Sequence, residues 1–270
     1  MVRALSLLAI ALVSSCSVDL GIEGMRYRCR NDSECSPGFA CDPVLMICAM
    51  PGEGDVDAGE RACGFDESFD NPSADDWHQD GNSLTPPSGA VELTAASTNQ
   101  RGTLWYRRPI RADRFTYEME FSIFGGGDRG GDGMSMAWVQ EDDTARGGTT
   151  ANLGVYGLHG YVVEIDTFPN AGIGDPPTEH IAFARTRGEL LPDVDQFGNV
   201  AALPSLRSQD HRLLRIEFDA PVAAIYLDGS LVLTATAASY QPFDATFGAT
   251  AATGAAFDSQ QVHRLTLVCR

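Results

Sequence analysis

Positive charge is scarce in this chain. Lys and Arg number 19 against 37 Asp and Glu, giving a net charge of −18 and a sequence pI of about 4.5. Phosphate backbones would be repelled by such a surface, so nucleic acid is not expected as a partner. Long apolar runs are also missing. The one that exists, Ala4 to Val13 behind Arg3, is about ten residues, half of the roughly 20 needed to cross a bilayer core. No segment has convincing amphipathic helix periodicity. The Cys-rich stretch from Cys29 to Cys48 contains neither a Cys-x-x-Cys pair nor a His, which argues against a zinc knuckle.

What is present organises the chain into five parts. A length of 270 residues with 43% hydrophobic content accommodates one domain of about 200 residues with a sizeable core, plus appendages. Residues 1–15 read as a signal peptide. Val13-Ser14-Ser15-Cys16 resembles a bacterial lipobox, in which the Cys becomes lipidated; the alternative is an ordinary signal peptide followed by a free Cys. The lipobox reading predicts secretion across the inner membrane, a lipidated tether over 16–28, and a lipid anchor in the bacterial outer membrane or at the cell surface. An odd total of seven Cys agrees with one being set aside, leaving an even six. Cys29, Cys35, Cys41 and Cys48 form a module over 29–48 that is too short to bury a core and is expected to rely on two disulfides, with three pairings open. Residues 49–62 are acidic and nearly devoid of apolar side chains, as a flexible linker is.

The remainder, 63–270, reads as strands and turns. Leu104 to Arg107, Phe115 to Phe121, Met134 to Val139, Tyr161 to Asp166, Ile181 to Arg185, Leu213 to Phe218 and Phe247 to Thr250 alternate or are rich in β-branched and aromatic residues. Ile225 to Leu233 is a hairpin around Asp228-Gly229, which tolerate the positive φ of a tight turn. With 28 Gly and 14 Pro, this predicts an all-β sandwich. Gly64 to Phe69 and His263 to Val268 are short strand patterns at the two ends. If they pair, a Cys63 to Cys269 bridge would close the domain. Trp77, Trp105 and Trp138 read as packing residues, and His78, His159, His211 and His263 belong to no recognisable ligand cluster.

One stretch concentrates chemistry: Gly160 to Ile181, Gly-Tyr-Val-Val-Glu-Ile-Asp-Thr-Phe-Pro-Asn-Ala-Gly-Ile-Gly-Asp-Pro-Pro-Thr-Glu-His-Ile. Strand alternation puts Glu164 and Asp166 on one face, opposite Val163 and Ile165. Pro169, Gly172, Gly174, Pro176 and Pro177 force a tight loop that can return Asn170 and Asp175 to that face before His180 opens the next strand. Oxygen donors suit Ca²⁺, whereas carboxylates with one imidazole suit a transition ion such as Mn²⁺. Taken alone, the stretch could also be a polar turn carrying a surface His.

Val-Glu-Ile-Asp-Thr-Phe-Pro-Asn, then Asp-Pro, then His-Ile, resembles the metal loop of the legume-type (L-type, concanavalin A-like) lectins. The resemblance implies a jelly-roll sandwich with a flat back sheet and a curved front sheet, and no enzyme activity. It implies that Glu164, Asp166, Asp175 and His180 bind a transition ion. It also implies that Asp166, Asp175, the Phe168 carbonyl and the Asn170 amide bind calcium. Gly130 to Trp138 resembles the lectin segment whose Asp accepts from two sugar hydroxyls, commonly after a cis peptide, which makes Asp132 the acceptor. Arg146 to Thr149 resembles the loop whose Gly amide donates to the sugar, giving Gly148 with Gly147 behind it. Phe168 would add its ring and Asn170 its amide nitrogen. Ala252 to Gln261 resembles the variable specificity loop, with no residue assigned. The expected partner is therefore a carbohydrate.

Two rivals share the fold. Jelly-roll glucanases also carry a Glu-x-Asp strand but add a second Glu a few residues on, because retaining hydrolysis needs two carboxyls about 5–5.5 Å apart; here the strand continues Thr167-Phe168-Pro169-Asn170. A sugar-inactive adhesion module is the other.

Overall fold

The computed structural model describes residues 35, 40–42, 47–49 and 63–270, except 71, 86–88, 128–129, 190–194 and 202. The chain divides into two compact units, Met1–Arg61 and Ala62–Arg270. In the first, β1 (Ala40–Asp42) pairs antiparallel with β2 (Ile47–Ala49), with Cys41 opposite Cys48, and Cys35 is disulfide-bonded. The signal peptide, Cys16, Cys29, the side chains of Cys41 and Cys48, and the acidic linker lie outside the described residues. Among the described residues no helix is long and apolar enough to cross a membrane.

The second unit is built from strands. They begin with β3 (Gly64–Glu67), β4 (Trp77–Gly81), β5 (Val91–Thr94), β6 (Arg101–Tyr106), β7 (Ile110–Ala112), β8 (Arg114–Phe124), β9 (Gly133–Val139) and β10 (His159–Asp166). They continue with β11 (His180–Arg187), β12 (Asp195–Ala201), β13 (Ser208–Asp219), β14 (Val222–Leu227), β15 (Ser230–Thr236), β16 (Phe243–Ala252) and β17 (Ser259–Cys269). One antiparallel sheet runs β12-β11-β10-β9-β16-β6-β4, with β7 on β16; the other runs β15-β14-β13-β8-β17-β3, with β5 on β17. These are the two layers of the predicted sandwich. The turn between β14 and β15 has φ of 48° at Asp228 and 81° at Gly229, as a two-residue hairpin turn requires.

Alternation decides what fills the space between the layers. On β8, Phe115, Tyr117, Met119, Phe121 and Ile123 are all fully buried, while Thr116, Glu118 and Glu120 between them are only partly buried. They meet Trp138, Phe183 and Phe247 from the first sheet: Phe115 lies 5.4 Å from Trp138 and 5.1 Å from Phe247, edge to face. Each such side chain contributes roughly 1.5–3 kcal/mol by leaving water. All three Trp are buried, as packing residues.

The first sheet is covered on its other face too. Trp105, Val139 and Val162 there pack with Leu153, Val155, Tyr156 and Leu158 from the loop between β9 and β10, and Trp105 Nε1 donates to the Ala145 carbonyl at 2.9 Å. This double coverage explains why every residue of β9 is buried. At the domain's ends, β3 pairs with β17 and Cys63 is disulfide-bonded to Cys269 across 206 residues, the closure predicted from the terminal strands.

Candidate metal and carbohydrate site

The register of two neighbouring strands builds the site. β10 and β11 pair so that Asp166 stands opposite His180, and on the other side β10 pairs with β9 so that Asp166 stands opposite Gly133. The end of β10 is thus flanked by the loop's return at His180 and by Asp132. Val163 and Ile165 point into the core, which sends Glu164 and Asp166 to the opposite face, where both are buried.

Between Asp166 and His180 the loop closes on itself. Phe168 N donates to Asp166 Oδ1 at 2.8 Å, and Asn170 N to Asp175 Oδ2 at 2.8 Å. A 3-10 turn, Ala171–Ile173, follows, and Gly174 at φ 86° turns the chain back. Asp166, Asp175 and His180 are brought together, each offering a ligand atom within 4.8 Å of the others. Asn170 Nδ2 donates to the Phe168 carbonyl at 2.9 Å, so two of the expected calcium donors sit together beside this cluster. The Phe168 ring is half-buried.

Glu164 is placed differently. Its carboxyl accepts a hydrogen bond from the Tyr156 hydroxyl, and the three-residue cluster does not include it. Tyr156 was not anticipated as a partner, since nothing in the sequence ties the covering loop to β10.

The electrostatics of the cluster are unbalanced. Burial first, then the neighbouring charge of Asp175, pushes the Glu164 carboxyl up to about 8. Burial, Glu164 and Asp175 together hold Asp166 well above the usual carboxylate range. His180 is fully buried and neither ring nitrogen makes a hydrogen bond of good geometry; burial lowers its pKa against the opposing pull of Asp175 and the nearby Thr178 backbone. A fully buried imidazole with two idle nitrogens beside crowded carboxylates is costly unless a cation completes it. The donor set therefore fits a metal ion.

Asp132 adjoins this centre. Its carbonyl accepts from Thr167 N at 2.9 Å, and its charge adds to the field on Asp166. Its carboxyl is mostly buried, Oδ2 has no hydrogen-bond partner, and burial raises it to about 6, partly offset by the Gly254 and Asp132 amides. A Cβ placed on Gly254 would lie 2.9 Å from Oδ2, so the 252–258 segment forms the opposing wall. An idle carboxylate oxygen in a walled recess has the capacity to accept a hydrogen bond.

Two expectations are corrected here. Gly148 does not present a free amide: its N–H donates to the Tyr156 carbonyl at 2.7 Å, and that of Gly147 to the Gly154 carbonyl at 3.0 Å. The loop closes as its own ladder, and a Cβ at Gly148 would strike the Asn152 side chain at 2.8 Å, so this glycine serves close packing. Nor is the peptide before Asp132 cis, since among the described residues only Ala220–Pro221 is. Gly131 N donates to Asp258 and the Gly131 carbonyl accepts from Thr167 Oγ1. Both groups of that residue are satisfied with the bond trans.

The unassigned histidines pair with neighbours away from this site: His78 with Asp143 and His159 with Glu141. His211 stacks on His263 at 3.6 Å on the outer face of the second sheet.

Comparison with solved structures shows the same architecture. The VIP36 exoplasmic/lumenal domain in its Ca²⁺/Man3GlcNAc-bound form superposes with a TM-score of 0.65 at 17% identity, over 78% of this chain and 90% of that one. Its Ca²⁺-bound form gives 0.65 at 17% identity, over 78% and 91%. The carbohydrate recognition domain of Emp47p gives 0.63 at 16% identity, over 78% and 96%. Residues 68–269 match the model of the legume-like lectin family, whose members bind carbohydrate and are not enzymes, which removes the glucanase reading. The chain belongs to the legume-like lectin family.

Proposed function

We propose that this chain is a calcium-dependent carbohydrate-binding protein whose lectin domain is displayed from a bacterial envelope by a lipid on Cys16. The observation that carries the metal part is the cluster of Asp166, Asp175 and the unpartnered His180, one strand away from the idle carboxylate oxygen of Asp132. Asp166 and Asp175, with the Phe168 carbonyl and the Asn170 amide, would hold calcium. The imidazole of His180 supports a transition ion such as Mn²⁺ sharing Asp166 and Asp175, with Glu164 able to offer it the oxygen that Tyr156 does not engage. The bound cation would neutralise the buried carboxylates and so fix the loop. Asp132 then accepts from the sugar hydroxyls, with the Phe168 ring and the Asn170 amide alongside. The Ca²⁺ and mannose glycans named for the VIP36 structures are consistent with this assignment.

The lipid anchor rests on Val13-Ser14-Ser15-Cys16 and the acidic stretch 49–62, which would hold the domain away from the membrane. The net charge of −18 speaks for a partner that is not nucleic acid.

Retention of the full-length protein on a glycan array with calcium, and its release by chelator, tests the reading. Equal retention with and without chelator would contradict the metal dependence, and no retention with metal bound would favour a sugar-inactive module. For the anchor, Cys16→Ser should move the protein from the detergent phase to the aqueous phase; unchanged partitioning would contradict it.

A further inference from the structure

We propose that Asp258, gripped by Arg207, is a positioning residue that locks the loop bearing Asp132 to the 252–258 segment and so holds the two walls of the carbohydrate recess at their spacing. The inference rests on the reading of Asp132 as the sugar acceptor.

Asp258 is fully buried, and both of its carboxylate oxygens are doubly satisfied. Oδ1 accepts from Gly126 N at 2.8 Å and Arg207 Nη2 at 2.9 Å; Oδ2 accepts from Gly131 N at 2.9 Å and Arg207 Nε at 3.0 Å. This is a two-pronged guanidinium pairing, the geometrically most specific a carboxylate can make. Arg207 Nη2 also donates to the Gly127 carbonyl at 2.8 Å. One side chain thereby joins three connections that are distant in sequence: β8 to β9, β12 to β13, and β16 to β17.

Gly131, the residue before Asp132, is held on both sides. While the Gly131 N–H, one peptide earlier, goes to Asp258, the Gly131 carbonyl accepts from Gln260 Nε2 at 3.0 Å and Thr167 Oγ1 at 2.9 Å, and Gln260 is fixed in turn by Thr94 Oγ1 at 2.9 Å. The recess lies between Asp132 and Gly254, and Gly254 is four residues ahead of Asp258 on the same segment. Both walls are therefore tied to one carboxylate.

The same packing accounts for two glycines of the run Gly125-Gly126-Gly127 and Gly130-Gly131, namely Gly126 and Gly131. A Cβ on Gly126 would fall 1.7 Å from the Phe257 carbonyl oxygen, and one on Gly131 would fall 2.1 Å from Phe257 Cα. Only glycine lets the backbone come near enough to Asp258 for its amides to bind the carboxylate. Asp166, Asp175 and His180 make none of these contacts themselves; the link to the metal loop runs through Thr167 alone among the named donors.

The test compares the full-length parent with Asp258→Asn, Arg207→Lys and Arg207→Gln, reading amide hydrogen exchange at Gly126 and Gly131, calcium affinity and glycan affinity. Asp258→Asn should speed Gly131 exchange at least tenfold and weaken glycan binding at least tenfold, while calcium affinity stays within twofold. Arg207→Lys, which keeps the charge without the fork, should fall between parent and Arg207→Gln. Should Asp258→Asn fail to fold, Arg207→Gln carries the same readings from a partly exposed position. Unchanged Gly131 exchange, or calcium and glycan affinities falling in step, would overturn the proposal. A parent that binds no glycan removes the Asp132 reading instead, and the exchange data still decide whether Asp258 fixes Gly131.

Discussion

Two buried carboxylates at one end of the sandwich, Asp166 and Asp258, have opposite surroundings. Asp258 meets four donors, two from backbone amides and two from Arg207. Asp166 meets one backbone amide and otherwise faces Glu164, Asp175 and a His180 with no partner for either nitrogen. Burial is common to both, so burial alone does not mark a ligand site. What separates them is whether the protein itself supplies the compensating charge: where it does, the carboxylate ties loops together, and where it does not, a cation is called for.

Removing the unbalanced carboxylate should have the largest effect. Losing a group that merely supports a metal ligand typically costs 10–100-fold in affinity, so Asp166→Asn should weaken calcium binding more than ~100-fold and take glycan binding with it. Titration calorimetry showing intact calcium binding would break the contrast drawn between the two carboxylates.

A change remote from both sharpens the comparison. Cys63→Ser with Cys269→Ser opens a loop closed across 206 residues and should lower stability by about 2–4 kcal/mol, with calcium affinity unchanged. Chemical denaturation checks the first, and calorimetry on the folded protein the second.

Asp132→Asn separates sugar from metal. Hydrogen bonds to a charged acceptor contribute about 1.5–3 kcal/mol, so glycan affinity should fall roughly 10–100-fold while calcium content stays near one ion per chain. Parent-like retention on the array would show that Asp132 is not the acceptor.

The smallest effect is a pH dependence whose sign depends on the ion. With Glu164 raised to about 8 from 4.5, the metal-free native state holds a proton that the unfolded chain has released anywhere between those values. Metal-free stability should therefore rise as pH falls from 8 to about 6.5, below which His263, lowered to about 4 by burial, and His180, lowered likewise, oppose the trend. Each kcal/mol moves a domain of this size by about 2–4 °C, so a shift of roughly 5 °C is expected in chelator. Calcium needs the ionised carboxylates, so its own stabilising increment should grow as pH rises. A melting temperature in chelator that is flat or falls on acidification over that range would contradict this.

Much of the fold was legible because burial on one face writes alternation into the sequence, as in Arg-Phe-Thr-Tyr-Glu-Met-Glu-Phe of β8. Four strands of the domain were not legible: Trp77–Gly81 and Asp195–Ala201 are the two edges of the first sheet, where side chains are polar and periodicity is weak, and Val91–Thr94 and Ile110–Ala112 are too short to show a period. Asp166, Asp175 and His180 were legible because turn residues and strand register alone bring them together. Gly148 was not, because whether an amide is free depends on how a loop closes. Tyr156 and Arg207 meet their partners only through tertiary packing. For Asp258 a signal did exist: five glycines within Gly125 to Gly131 announce a close backbone approach, though not what approaches.

The measurement that bears most directly on the cation-demanding cluster is calorimetric titration of the full-length, chelator-treated protein with calcium, followed by glycan, at pH 7.5. The account predicts saturable calcium binding lost in Asp166→Asn, and glycan heat only after calcium has bound. Calcium binding that survives Asp166→Asn, or glycan binding of equal strength without calcium, would contradict it.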